Sequence, residues 1–235
     1  MFKEHSKRLD FFIPNEIFID FSKLNYKSNS HYAFTVCYYV LTSFLYYKAH
    51  YGIQKLTQPD LKEYLGYSRD NPTINYIIKR NGLLDQTEYT ETTTDYPILY
   101  DYIRMEYVTR KDADTEIGKY IGHDRNYTVK VPLKGLYGSF VCIKNTTKID
   151  FRIFERIVTN KDLGCTSFLV YLYIKFRGTL IIGFEDFSKI IKCSVVTLQN
   201  AVKSLESRNY ISVTRGKFDL QKMRYPANSY TAKKV

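Results

Sequence analysis

Two long stretches of the chain carry apolar residues at helical spacing. In "HYAFTVCYYVLTSFLYYKAHY", Ala33, Cys37, Val40, Leu41, Phe44 and Leu45 recur three and four residues apart, and Ser30 stands where it can cap the helix. In "TSFLVYLYIKF", Phe168, Leu169, Leu172 and Phe176 share one face. Gly52 and Gly178 follow these helices, as a left-handed terminus permits. Each helix then leads into a similar succession. After Gly52 come a strand-like "IQKL", a helix-like "TQPDLKEYLGYS", and "RDNPTINYIIKRNGLL", a third helix running into a strand. After Gly178 come "TLII", "FEDFSKIIKCS" and "VVTLQNAVKSLESRNYI". Hairpins are expected at Leu83–Tyr102 and Ile211–Thr231, with the polar "TEYTETTTDYP" as the tip of the first. Alternating apolar residues ending in a proline precede both halves, Pro14 in "FFIPNEIFIDF" and Pro132 in "YTVKVPLKGLY". The weak repeat divides the chain into residues 1–110 and 127–235, with the charged, glycine-containing 111–126 as a linker or loop.

Charge separates the halves. Residues 1–110 hold 13 Lys/Arg and 13 Asp/Glu, and residues 111–235 hold 22 against 11, so the second half carries the whole net charge of +11. A one-sided positive field points to a polyanionic partner, most often nucleic acid. With 44% hydrophobic residues the chain can build a sizeable core, and no apolar run is long enough for a transmembrane helix. The polar start "MFKEHSKRLD" reads as unprocessed and cytoplasmic. Cys37, Cys142, Cys165 and Cys193 are widely spaced and read as buried free thiols. His5, His31, His50 and His123 form no pair, and GxxxxGK[ST], HExxH and GxSxG are missing. His123 in "GHDR" reads as an incidental loop histidine. The expectation is a protein without enzymatic activity, cofactor or metal.

The segment Asp186–Ile211 carries the functional reading. Phe187, Ile190 and Ile191 face inward from one helix, and Leu198, Val202 and Leu205 form one stripe of the next. Ser194 is placed to cap that next helix. Its other face offers Thr197, Gln199, Asn200, Lys203 and Ser204, short polar or amide side chains plus one cation, which suits hydrogen bonding to base edges in a major groove.

This pattern is similar to the helix-turn-helix of winged-helix DNA-binding domains. Ser194, Thr197, Leu198, Val202, Leu205, Asn209 and Ile211 hold its places, while Lys192 and Asn209 stand where glycines are usual. The resemblance implies an α+β fold of two tandem winged helix-turn-helix domains. It makes Thr197, Gln199, Asn200 and Lys203 the candidate base readers. Candidate phosphate contacts are Ser194, Ser204 and Arg208, with Arg215, Lys217, Lys222 and Arg224 on the wing "SVTRGKFDLQKMRYPANSYT". In the first half, Gly82 follows Ser68 by 14 positions, as Asn209 follows Ser194 by 15, with Pro72 expected in the first turn of the third helix. Arg69, Asn71, Thr73, Asn75, Lys79 and Arg80 are a possible second DNA contact, opposed by an acidic wing of Asp85, Glu88, Glu91 and Asp95. Dimerisation or docking of another protein is the alternative for this half, with Tyr38, Tyr39, Tyr46 and Tyr47 as a contact surface or, more simply, as core.

Two such units, together with the "FFIPNEIF" opening, resemble plasmid and phage replication initiators that bind repeated origin sequences. In that family the amino-terminal unit commonly mediates dimer contacts and the carboxy-terminal unit grips DNA. The resemblance implies double-stranded DNA, a homodimer and replication proteins as partners, with no membrane. Two alternatives stay open: a transcription regulator with the same DNA contacts, and a winged-helix adaptor that binds proteins and uses its charge for solubility.

Overall fold

In the computed structural model, which describes residues 10–51, 56–117, 127–133, 145–216 and 227–233, the chain is an α+β fold of helices and small antiparallel sheets. It runs β1 (Asp10–Pro14), α1 (Ile17–Asp20), a 3-10 turn (Phe21–Lys23), α2 (Ser30–Tyr47), α3 (Gln58–Tyr64), α4 (Asn75–Ile78), β2 (Thr90–Thr93), β3 (Pro97–Asp101) and β4 (Glu106–Thr109). Then follow α5 (Arg110–Ile117), β5 (Val129–Pro132), β6 (Thr146–Asp150), α6 (Phe151–Val158), α7 (Gly164–Arg177), β7 (Thr179–Ile182), α8 (Phe184–Ile191), α9 (Val195–Ser207), β8 (Ile211–Thr214) and β9 (Asn228–Ala232).

The chain divides into two compact units, each made of two separate stretches. Unit 1 comprises Met1–Pro14 and Tyr38–Arg152, and unit 2 comprises Asn15–Cys37 and Ile153–Val235. This differs from the expected division at 111–126. Residues up to Arg152 belong with the first unit because β5 pairs with β2 and β6 pairs with β1, both antiparallel. Alternating apolar residues foretell a strand, but its partner is fixed by non-local packing. The "FFIP" opening is divided likewise: Phe11 and Ile13 are buried in unit 1, Ile17 and Phe18 in unit 2.

In unit 1, the second part of α2 is buried all round from Tyr38 to Leu45, as a helix with few polar positions must be. Tyr38 and Tyr39 are therefore core residues, and only Tyr47 of the four tyrosines is exposed. Phe44 stacks on Phe151 at 3.5 Å, and the Tyr51 hydroxyl donates to the Lys130 carbonyl at 2.9 Å. α3 begins with a capping box in which the Thr57 N–H donates to the Asp60 carboxylate at 2.7 Å. The expected hairpin Leu83–Tyr102 does not form. β2 pairs instead with β5, which makes the polar "TETT" a strand rather than a tip, and the hairpin is β3–β4. The expected linker opens with α5, whose start is secured by the Thr109 N–H donating to Asp112 at 2.9 Å. Residues 118–126, with His123, lie outside the described residues, as do Ile53–Lys55 of "IQKL" and Gly52.

From α7 onward unit 2 follows the expected order, whereas α6 has no counterpart in it. α7, β7, α8, α9, β8 and β9 succeed one another, and the three strands form a sheet in the order β7-β9-β8. The hairpin expected at Ile211–Thr231 is present as β8 paired with β9. Gly178 ends α7 with φ 72°. Lys192 and Asn209 take the left-handed conformation expected of glycine, at φ 57° and 65°. The Lys192 ammonium lies over the Tyr26 ring at 5.8 Å, and the Asn209 side chain accepts from Lys233. The Cys37 thiol donates to the Cys165 carbonyl at 3.6 Å, and burial pushes its pKa up. Cys37 and Cys165 are buried and Cys193 half-buried, all three as free thiols, while Cys142 lies outside the described residues. Among the described residues, no helix is long and apolar enough to cross a membrane.

Candidate nucleic-acid interface

α9 is a helix because thirteen residues without Gly or Pro follow a good cap. The Ser194 hydroxyl accepts from the Thr197 N–H at 3.0 Å, satisfying one otherwise unpaired donor of the first turn. Leu198, Ala201, Val202 and Leu205 are buried and turn toward α7 and α8. At about 100° per residue, Val196, Gln199, Asn200, Lys203 and Ser207 fall on the opposite face, and all five are exposed. The two amides each offer a donor and an acceptor side by side, and Lys203 adds a cation. The four candidate base readers are thus all exposed on one helix, but Thr197 stands on its flank. Its hydroxyl lies 2.8 Å from that of Ser194, which ties it to the cap.

The phosphate candidates are less uniform. Ser194 is exposed and Ser204 half-buried. Arg208 pairs with Asp162 at 2.7 Å. Arg215 makes a two-pronged contact with Glu206, at 3.0 and 2.5 Å. Hydrogen bonds from Arg215 are the main reason the Glu206 carboxyl titrates below its ordinary range. Sequence spacing gave no sign of this pairing, which joins the end of α9 to the end of β8. Lys217, Lys222 and Arg224 lie outside the described residues. Unit 2 carries 16 Lys/Arg against 8 Asp/Glu and unit 1 carries 19 against 16, so the positive excess stays concentrated in the unit that holds α9.

The corresponding segment of unit 1 is built differently. Only Asn75–Ile78 is helical, and Pro72 lies ahead of the helix rather than in its first turn. The Asn71 side chain accepts from the Thr73 N–H at 2.8 Å and from its hydroxyl at 2.7 Å, which holds a turn in place of a helical start. After α4 the backbone extends at Lys79 and turns left-handed at Asn81 (φ 58°). A Cβ on Gly82 would meet the Tyr76, Lys79 and Ile77 carbonyl oxygens at 2.7–2.9 Å, so this close turn needs glycine. Arg69 is held by Asp60 and Glu63 at 2.6 and 2.9 Å. Asn71, Thr73, Asn75, Lys79 and Arg80 are therefore spread over turns and one short helix, not gathered on a single helix face.

Nor is Asp85 part of an acidic wing. Its carboxylate forms a buried ion pair with Lys130, and it accepts from the Thr92 hydroxyl at 2.6 Å and the Asn81 N–H at 3.0 Å. Lys130 also donates to the Thr92 hydroxyl at 2.9 Å, and burial lowers its pKa against the pull of Asp85. Glu88 and Glu91 are exposed, and Asp95 accepts from the Lys111 N–H at 3.1 Å. One local signal points to this burial: Lys130 sits between two valines in "VKVP".

The β3–β4 hairpin is the other unexpected surface. Leu99, Tyr102, Ile103 and Met105 are 59%, 81%, 95% and 54% exposed. Four apolar side chains on one short hairpin exceed the scattered exposure normal for a surface. Among the described residues, no group of three or more His, Cys, Asp and Glu side chains could hold a metal ion. Comparison of the whole chain with protein-family models, with curated proteins and with solved structures gives no match in any of the three.

Proposed function

We propose that the chain is a sequence-specific binder of double-stranded DNA whose reading element is α9, carried on a winged-helix domain formed by unit 2. The observation that carries this reading is the division of α9. One face is buried, and the opposite face presents Gln199, Asn200 and Lys203 from a helix fixed at its start by Ser194. The succession α7-β7-α8-α9-β8-β9, with β9 between the other two strands, supports the same reading, as does the positive excess of this unit. In this reading the two amides pair with adenine edges, Lys203 reads a guanine or a neighbouring phosphate, and the cations of the β8–β9 segment contact the backbone. Arg208 and Arg215 then exchange Asp162 and Glu206 for phosphates on binding. No enzymatic step and no cofactor are assigned.

Replication initiation at repeated sites is the biological role proposed, with transcription regulation through the same contacts as its rival. The exposed apolar hairpin β3–β4 favours a protein-contact role for unit 1, and a homodimer built through it fits both roles.

Selection of bound duplexes from a random pool, at ~50 and ~200 mM salt, tests the reading, because phosphate-only binding collapses over that range. A defined motif that survives the higher salt is expected. Tandem direct copies favour the initiator, and a single palindrome favours the regulator. Loss of all binding without enrichment would overturn DNA recognition by α9 and leave the protein adaptor as the better reading.

A further inference from the structure

Val196 is out of place on α9. It lies on the side opposite the buried stripe of Leu198, Ala201, Val202 and Leu205, and it is 64% exposed. Its neighbours on that face are Gln199, Asn200 and Lys203, all polar. Valine is a poorer helix former than Ala, Gln or Lys and gains little where water covers it. It also occupies the second position of the helix, in the first turn, the part of a groove-bound helix that stands nearest the base edges.

We propose that Val196 is a specificity-determining residue that packs against the C5-methyl group of a thymine in the DNA site. This rests on the reading of α9 as a groove-bound helix. The major groove offers few partners to a side chain with no hydrogen-bonding group. Guanine presents N7 and O6, adenine N7 and its amino group, cytosine its amino group, and only thymine a methyl. Burying an isopropyl group against any of the polar edges would desolvate them without compensation, which selects against them. Asn200 stands one turn beyond Val196 on the same face, about 6 Å along the axis. The thymine therefore lies within one or two base steps of the adenine that an amide side chain would read, and the site contains an A·T-rich step under the start of α9.

Removal of single methyl groups from the DNA tests this. The most enriched duplex from the random pool is synthesised with deoxyuridine in place of each thymidine in turn. Wild-type protein and Val196→Ala are titrated against every duplex at ~100 mM salt. Val196→Ala favours the helix and leaves the buried stripe of Leu198, Ala201, Val202 and Leu205 unchanged, and far-ultraviolet circular dichroism checks that it folds. For the wild type, deoxyuridine at one position per half-site is expected to weaken binding about fourfold, or about 0.8 kcal/mol, the worth of one buried methyl. Val196→Ala is expected to bind the thymidine duplex more weakly and to lose the penalty at that position alone. A specific duplex whose affinity is untouched by every deoxyuridine, or a penalty undiminished in Val196→Ala, overturns the proposal while leaving DNA reading by α9 intact. A pool that yields no enriched duplex overturns both.

Discussion

Two segments of the chain begin alike and end differently. Ser68–Gly82 and Ser194–Asn209 have nearly the same length, and each has a Ser at its start and a left-handed residue, Asn81 or Asn209, at its end. Yet one yields a helix of four residues and the other a helix of thirteen. The apolar positions do not account for this, since Ile74, Ile77 and Ile78 are as fully buried as Leu198, Val202 and Leu205. The residues ahead of them do. Asn71 holds a side-chain turn and Pro72 withholds an N–H. In the second segment Ser194 caps, and Gln, Asn, Ala, Lys and Leu carry the helix on. The arrangement of polar side chains also differs. Arg69 is held by two carboxylates, as Arg208 is by Asp162, but in the second segment Gln199, Asn200 and Lys203 stand together on one exposed helix face. An apolar stripe with matching spacing is thus not enough to make a long helix; the residues off the stripe decide whether the helix continues and what it presents.

The comparison can be broken most forcefully in unit 1. Asp85→Ala leaves the Lys130 ammonium buried without its counter-charge, and the expected cost is about 3–5 kcal/mol in urea unfolding. Adding Lys130→Met to the same chain should recover most of that loss; a double variant as unstable as the single one would mean that the pair is not the reason.

A second test sets the two segments side by side on DNA. On the proposed DNA reading, Gln199→Ala or Asn200→Ala should cost about 1–3 kcal/mol against the preferred duplex and much less against one altered at a single base pair. Lys203→Ala should flatten the salt dependence by about one unit if it meets phosphate. Arg69→Ala should change neither affinity nor slope, because Arg69 stands on a turn and not beside the exposed face of α9. An equal loss from Arg69→Ala and Lys203→Ala would erase the distinction drawn between the two segments.

Smaller effects sharpen the account of the turn before α9. Lys192→Gly relieves a left-handed residue of its Cβ and should raise stability by about 1 kcal/mol, read from the urea midpoint. A fall instead would show that the Lys192–Tyr26 contact outweighs the backbone relief.

The smallest expected effect is one of pH. Burial, and secondarily the charge of Lys27, lowers the pKa of His31 in unit 2 below its ordinary 6.5. The unfolded chain therefore takes up a proton first, and stability falls as pH drops below about 6.5 toward the folded value. The thermal midpoint should decline between pH 7.5 and 5.5, and His31→Gln should remove that part of the decline. An identical decline in the variant would exclude His31 as its source.

Much of unit 2 was legible in the sequence. The buried stripe of α9, the Ser194 cap, the ends at Gly178 and Asn209, and the β8–β9 hairpin all come from local signals: periodicity, a cap hydroxyl, a glycine or asparagine at a left-handed position. Such signals act over a few residues, so the order of residues by itself determined these elements and the charge that accompanies them. Unit 1 was read less well, for the same physical reason inverted. Whether "TETT" is a turn or a strand depends on β5, nearly forty residues away, and whether Asp85 stands on an exposed wing or is buried against Lys130 depends on the same pairing. Strand partners, buried ion pairs and the Arg215–Glu206 contact are long-range choices among competing surfaces, settled by which desolvated groups find each other when the chain packs. The sequence on its own determined the helices α7 to α9 and the basic character of one half; tertiary structure decided how the chain divides, which charges are occupied, and that the face of α9 opposite the core stands open.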